Sequence, residues 1–196
     1  YYKDNNPTLE HWEQLVALKL AGHKLKTAAW NLDSWDKDDI DTMSPATSYA
    51  GRILGLLALD EDPTNYGGRN LTQELLNKQQ PSNGSFGGSV NNTIWAMIAL
   101  DEARVDYDKT KAIEYLKAEQ KPDGGFALSG TVGDPDITGE ALMALSRCID
   151  KAGINNIIQE AINYLHTVQL DSAGFSSWGN ENSQSSARVI SGLLAV

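Results

Sequence analysis

The sequence predicts an all-α protein built from antiparallel helical hairpins. A unit made of a helix, a glycine-containing turn and a more apolar helix occurs three times, at Leu75–Leu100, Ala112–Leu145 and Tyr164–Leu193. Each turn carries one phenylalanine: Phe86, then Phe126 after 40 residues, then Phe175 after a further 49. Units of this length are typical of repeat architectures, in which each hairpin buries its apolar face against its neighbours.

The helices of these units divide into two kinds that alternate along the chain. Helices before the turns are one-sided, as in Ile157–Val168, where apolar residues recur every three or four positions. Helices after the turns are apolar nearly all round, as in Ile94–Leu100, and such helices must be buried on all sides. The alternation predicts outer helices wrapped around inner ones, with inner helices near residues 48–59, 92–104, 137–149 and 185–196.

The region before the first repeat is predicted to be helical as well. Helices are expected at Leu9–Ala21, Lys24–Trp35, Ser48–Leu59 and Leu71–Lys78. The acidic stretch DSWDKDDID, residues 33–41, lacks the glycine and the distal glutamate of a calcium loop. A solvated turn is therefore favoured there over a metal site.

Length, charge and cysteine content exclude several kinds of function. The 196 residues carry a net charge of −10, which argues against nucleic acid and anionic membranes because both need a basic surface. No apolar run approaches about 18 residues, so no membrane insertion is predicted. The only cysteine, Cys148, excludes an intrachain disulfide and a cysteine-based zinc cluster. The N-terminus is polar, so either a signal peptide has been removed or the chain is an excised fragment of a larger protein.

The turn residues are predicted to build the repeat. Glycines at positions 84, 124, 125 and 174 are expected to accept positive φ where the chain reverses. Glutamines 80, 120 and 169 are expected to end the outer helices and to bond backbone groups of the turn. Each phenylalanine is expected to fill the junction between hairpins.

The segment Gln120–Phe126, which reads Q-x-x-D-G-G-F, resembles the repeat of the prenyltransferase β-subunit and squalene-cyclase superfamily. The cobalamin carriers and the complement thioester domains share its α/α toroid fold. The N-terminal part is similar to prenyltransferase-like modules of bacterial secreted and cell-surface proteins. The resemblance implies a single toroid domain over residues 1–196 and an extracellular or cell-surface location. The ring is expected to be incomplete, because the chain stops on an inner helix.

The catalytic motifs of these families are incomplete in this chain. Protein prenyltransferases hold zinc with an aspartate, a cysteine two residues later and a distant histidine, but Asp136 is followed at that spacing by Thr138. Squalene-type cyclases protonate their substrate with D-x-D-D, which here reads Asp134-Pro135-Asp136-Ile137. No catalytic residue and no metal are therefore predicted. On the structural interpretation, Asp136 and Thr138 cap the helix that follows.

A polar rim remains where the inner helices begin. When these helices are aligned, one column is aromatic, acidic and basic in successive repeats, which packing does not explain. If the helices run parallel, the groups gather at one mouth of the ring, where the cobalamin carriers bind their ligand. The alternative is that they are helix caps and surface residues. The candidate ligand-binding residues are Asn92, Thr93, Trp95, Asp136, Thr138, Glu140, Ser185, Ser186 and Arg188.

These observations favour a non-catalytic binding module of a bacterial surface or secreted protein. Its ligand is expected to be a small molecule or an adjacent domain of the same protein, seated at the mouth. No resident cofactor is predicted, and a corrinoid is the specific ligand that the resemblance implies. The alternative is an isoprenoid enzyme, a terpene cyclase or a prenyltransferase, that uses the interior of the ring.

Overall fold

The described part of the chain is all-α, as the sequence predicts. The computed structural model describes residues 8–37, 40–42, 44–177 and 179–196, with backbone alone at 36 and 37. Over these ranges it contains nine α-helices, a 3-10 turn at Pro63–Asn65 and one two-stranded antiparallel sheet. The helices are α1 Trp12–Leu20, α2 Asp33–Lys37, α3 Ala46–Ala58, α4 Leu71–Leu76, α5 Val90–Glu102, α6 Lys109–Glu119, α7 Pro135–Ser146, α8 Ile154–Val168 and α9 Ser183–Ala195, and the strands are β1 Ser176–Ser177 and β2 Asn180–Glu181.

Helices are present at the four positions predicted for inner helices, and each begins two residues earlier than the apolar pattern indicates. The early residues belong to the first turns of the helices, and in α7 and α9 a side chain of the preceding residue caps this turn. In α9, for example, the Asn182 side chain accepts a hydrogen bond from the Ser185 backbone N–H at 2.8 Å. Hydrophobic periodicity does not detect such capped turns, because the side chains that satisfy their free N–H groups are polar.

The helix predicted at Lys24–Trp35 is wrong over most of its length. Residues 24–32 are turns and extended chain, and the helix there, α2, begins at Asp33. The Trp30 indole N–H donates to the Lys24 carbonyl at 3.0 Å, and Asn31 forms a parallel bridge with Thr8. A helix would need the Lys24 carbonyl and the Asn31 backbone for its own hydrogen bonds, and here these groups are bonded to other partners. Part of the acidic stretch predicted as a solvated turn, residues 38 and 39, lies outside the described residues.

The chain divides into two compact units. The first runs to Lys78 and includes Ala99–Asp106, and the second comprises Gln79–Ile98 and Tyr107–Val196. In the first unit, α1 packs on α3, where the glycine at position 51 leaves room for the Trp12 ring. Its core is an apolar cluster of Leu9, Leu15, Leu25, Trp30, Trp35, Ala58 and Leu59.

The three repeated turns all lie in the second unit and share one hydrogen bond. The backbone N–H of each turn phenylalanine donates to a hydroxyl in the first turn of the helix that follows. The pairs are Phe86 with Thr93 at 3.0 Å, Phe126 with Thr138 at 2.9 Å, and Phe175 with Ser186 at 3.1 Å. The phenylalanine side chains are buried. Each turn is therefore fixed to the inner helix that it precedes.

The turn glutamines also bond the backbone, but in the first repeat the residue is Gln79 and not the predicted Gln80. The Gln79 amide donates to the Gly84 and Asp108 carbonyls, just as the Gln120 amide donates to those of Gly124 and Ile157. The first turn has one more residue between its glutamine and its glycine than the second turn has. Aligning the repeats without this extra residue selects Gln80 in place of Gln79. Among the described residues, Gln169 bonds only the carbonyl of residue 173, within its own turn.

The residues with positive φ differ from the prediction at two of four positions. Gly84 and Gly124 have φ of 78° and 90°, but Gly125 and Gly174 do not adopt positive φ. The third turn places Ala173 in this conformation instead, with φ of 65°. Gly84 and Gly124 also lie against the backbone of the next outer helix, where a Cβ would collide with Lys111 or Glu160.

Ala173→Gly is expected to stabilise the protein by about 0.5–1 kcal/mol, because glycine adopts the left-handed region without the Cβ penalty. The matched control is Ala118→Gly in α6, which is expected to destabilise by about 1 kcal/mol. Urea unfolding of both variants would measure the two effects. Equal destabilisation by both substitutions would contradict the assigned turn conformation.

Helices α7 and α9 pack with their backbones in direct contact. A Cβ added to Gly192 would collide with the Gly139 carbonyl, and one added to Gly139 would lie 2.7 Å from the Arg188 carbonyl oxygen. This close approach brings polar side chains of α7 and α9 within hydrogen-bonding distance near the start of both helices.

Candidate functional site

Three of the predicted site residues form a continuous series of contacts across three helices. Trp95 on α5 donates its indole N–H to Glu140 Oε2 on α7 at 3.2 Å. Arg188 Nη1 on α9 lies 3.0 Å from the other carboxylate oxygen, Glu140 Oε1. Glu140 is only 2 % exposed, whereas Trp95 and Arg188 are half-buried. The column that is aromatic, acidic and basic in the sequence is thus one connected group, which we call the Trp–Glu–Arg series.

Asp136 joins the series through the same guanidinium. Its Oδ2 lies 3.4 Å from Arg188 Nη1, and its side chain is 13 % exposed. The other oxygen, Oδ1, is buried without a hydrogen-bond partner among the described residues. A buried carboxylate oxygen normally accepts hydrogen bonds, so Asp136 retains unused acceptor capacity.

Burial raises the pKa of the Glu140 carboxyl to about 7. The Arg188 cation and the Trp95 hydrogen bond act in the opposite direction, and the charges of Asp136 and Asp134 add to the increase. Desolvation outweighs the attraction of one half-exposed guanidinium. Glu140 is therefore partly protonated at neutral pH.

A cleft of about 320 Å³ lies beside the series. Asp134, Asp136 and Arg188 supply its charged groups. Arg188 belongs to both features, because it lines the cleft and contacts Glu140. The remaining walls come from the segment before α7 and from Ile137 in its first turn; the residues of the segment are Ala127, Leu128, Ser129, Val132 and Gly133.

Two of the three repeats have extra residues between the turn and the helix that follows, and those of the second repeat supply walls of this cleft. From the turn phenylalanine to its hydroxyl partner is 7 residues in the first repeat, 12 in the second and 11 in the third. The extra residues of the second repeat line the cleft, and those of the third form the β1–β2 hairpin. The two insertions meet where Ser177 donates its hydroxyl to Asp134 Oδ2 at 2.6 Å. Insertions in repeat proteins often mark the binding face.

The predicted hydroxyl residues mostly serve the fold. Thr93, Thr138 and Ser186 accept the phenylalanine N–H bonds, and each donates to a backbone carbonyl, of Ser89, Asp134 and Asn182 respectively. The Ser185 Oγ is buried without a partner among the described residues. Asn92 is half-buried, with its backbone N–H donating to Ser89 Oγ at 3.2 Å. These side chains lie at the first turns, as predicted, but the Trp–Glu–Arg series does not include them.

The helix cap of α7 is Asp134 and not Asp136. Asp134 Oδ1 accepts from the backbone N–H groups of Asp136 and Ile137, at 2.9 and 3.2 Å. Pro135 then occupies the first helical position, where its missing N–H costs nothing. Because Asp134 makes the cap, Asp136 is left facing Arg188.

Sequence reasoning missed three contributors to this region: Ser177, Leu128 and Val132. Leu128 and Val132 are 55 % and 68 % exposed beside the cleft. The signal that could have found them is the longer spacing between phenylalanine and hydroxyl in the second and third repeats. Apolar residues in an insertion do not follow any helical period, so the helix analysis ignored them.

Metals, membranes and known proteins add little to this description. The described residues contain no group of three or more His, Cys, Asp or Glu side chains that could hold a metal ion, and the absence of a metal stays a prediction. Within the described ranges, no helix is both long and apolar enough to cross a lipid bilayer. Comparison with known proteins identified no matching family model and no matching curated protein.

Proposed function

We propose that the chain is a non-catalytic binding module of the α/α toroid class, belonging to a bacterial surface or secreted protein. Its ligand is a small molecule or an adjacent domain. The observation that carries the proposal is the Trp–Glu–Arg series, in which an indole, a buried carboxyl and a guanidinium are in contact and the guanidinium lines the cleft.

Contacts within the second unit support the toroid class. The contacts of Glu140 with Trp95 and with Arg188 join α5 to α7 and α7 to α9. Helices proposed as inner ones therefore lie next to each other in the order in which they occur along the chain. Glutamine side chains of the first and second turns bond carbonyls next to or within the outer helix that follows, at Asp108 and Ile157. A toroid of hairpins requires that each inner helix contacts the next one along the chain and that the turns attach the outer helices.

The chemistry of the site favours binding over catalysis. Trp95 and Arg188 hold the two oxygens of Glu140, and the hydroxyls of Thr93, Thr138 and Ser186 are used by the turns. A half-buried indole beside carboxylates suits an amphipathic ligand that carries hydrogen-bond donors. A corrinoid, with its amide substituents, is the small molecule that the sequence resemblance suggests.

An isoprenoid enzyme is the second candidate, and the pKa of Glu140 favours it. A carboxyl with a pKa of about 7 can donate a proton at neutral pH, as a cyclase needs. The proposal is weaker because both oxygens of this buried carboxyl already have donors, Trp95 and Arg188. Conversion of an isoprenoid by wild-type protein, absent in Glu140→Gln, would establish the enzyme.

Trp95→Ala is expected to weaken ligand binding about tenfold without unfolding the protein, because the indole offers contact area that alanine lacks. Calorimetry with corrinoids and short surface glycans would measure affinity, and far-UV circular dichroism would check folding. The ligand should also change tryptophan emission in wild type and in Trp12→Phe, but not in Trp95→Phe. Unchanged affinity in Trp95→Ala, or a ligand response that survives in Trp95→Phe, would remove Trp95 from the site.

A further inference from the structure

The segment 127–133 exposes two apolar side chains, and the glycines near its two ends lie in contact with each other. Gly125 and Gly133 lie so close that a Cβ on Gly125 would be 2.8 Å from the Gly133 Cα, and the Tyr164 ring packs against both glycines. Between them, Leu128 and Val132 are 55 % and 68 % exposed. We call these two side chains the apolar rim of the cleft.

The cleft beside the apolar rim has more negative than positive charge. Asp134 and Asp136 line it together with Arg188, and Arg188 also faces Glu140. Two aspartate carboxylates of the cleft therefore face one guanidinium, which Glu140 also contacts from its buried side. Asp136 Oδ1 has no hydrogen-bond donor among the described residues. A cation that donates hydrogen bonds would complement this arrangement.

We propose that this surface binds an extended segment of a partner polypeptide, with one lysine or arginine side chain entering the cleft and apolar neighbours covering Leu128 and Val132. The cation faces Asp136 and Asp134. The proposal rests on the proposed binding function and names the chemistry of the partner.

Size and charge favour a polypeptide over a small ligand. The cleft, at about 320 Å³, is near the lower limit of small-molecule sites, and it is open to solvent. Leu128 and Val132 project next to it, so an occupant that covers both must extend beyond the cleft. The net charge of −10 also attracts a basic partner at long range.

The test is selection from a phage library of random heptapeptides, followed by affinity measurements on the best lysine or arginine peptide. The selected peptides should be enriched in one basic residue flanked by apolar residues. Fluorescence anisotropy would compare that peptide with its twin carrying glutamine at the basic position. We expect the basic peptide to bind at least about tenfold more tightly, and its affinity to fall as salt is raised.

Variants of the chain test both halves of the surface. Asp136→Asn is expected to weaken binding about tenfold by removing the charge that faces the cation. The double variant Leu128→Ser/Val132→Ser is expected to weaken it about tenfold by removing apolar contact, and its exposed positions should leave folding intact. The matched controls are Asp171→Asn and Leu194→Ser, an exposed carboxylate and an exposed leucine elsewhere, which should bind as wild type does.

Equal binding of the basic peptide and its glutamine twin would overturn the inference, as would wild-type affinity in both cleft variants. A selection without enrichment of lysine or arginine would overturn it as well. If a corrinoid or glycan binds through Trp95 while the peptides fail, the proposed function survives and this inference does not. If peptide binding depends on Asp136 but not on Trp95, the inference is supported and Trp95 leaves the site.

Discussion

Between pH 4.5 and pH 7 the wild-type protein is expected to lose about 3 kcal/mol of stability relative to a Glu140→Gln variant. The folded state raises the pKa of Glu140 from its ordinary value of 4.5 to about 7, and each unit corresponds to about 1.4 kcal/mol. In this interval the folded state binds more protons than the unfolded state, so stability falls as pH rises. Well above pH 7 the difference becomes constant, because Glu140 is then ionised in both states.

Urea unfolding at a series of pH values would measure this difference. Glutamine keeps an acceptor for the Trp95 indole but carries no charge, so Glu140→Gln is expected to be the more stable protein at pH 8. The matched control, Glu114→Gln, removes an exposed glutamate of α6 and should follow the wild-type curve. If Glu140→Gln were less stable than wild type at pH 8, the Arg188 ion pair would outweigh the cost of burying the carboxylate.

Phe126→Ala is expected to destabilise the protein by about 3–5 kcal/mol, because the ring is fully buried where the second turn meets α7. The hydrogen bond from its backbone N–H to Thr138 remains in the variant, so the loss measures the ring itself. Urea unfolding monitored by circular dichroism gives the free energy.

The control for this substitution lies two residues further along the chain. Leu128→Ala truncates an exposed side chain and should change the free energy of unfolding by less than about 0.5 kcal/mol. A loss below about 1 kcal/mol in Phe126→Ala would mean that the turn phenylalanines do not fill the hairpin junctions. The recurrent role of Phe86 and Phe175 would then need another explanation.

The helices of this protein could be predicted because burial imposes a period on the sequence. Apolar residues recur at helical spacing in α5, α7 and α8, and the positions of these helices agree with the prediction to within a few residues. The segment 24–32 could not be predicted, because its conformation depends on the bridge from Asn31 to the distant Thr8 and on the bond from the Trp30 indole to the Lys24 carbonyl. Such contacts leave no period in the sequence.

The members of the Trp–Glu–Arg series could be predicted from the sequence, but their geometry and the residues of the neighbouring insertions could not. Aligning the inner helices identified Trp95, Glu140 and Arg188 as one column, but pairing of residues a whole repeat apart could not be established from spacing. The contact between Glu140 and Arg188 exists because glycines allow α7 and α9 to approach backbone to backbone. Local hydrogen bonds decide that Asp134 caps α7 in place of Asp136 and that Gln79 bonds the turn in place of Gln80. The sequence alone fits either residue of each pair equally well.

The conformation of Ala173 has a consequence for engineering longer arrays of these hairpins. In the first two turns, the equivalent glycine lies where a methyl group would strike the backbone of the next outer helix. A hairpin grafted behind α9 in the same geometry would bring its outer helix against the Ala173 methyl group. Such a graft therefore requires glycine at position 173, and with alanine retained the added helix must dock in a different orientation.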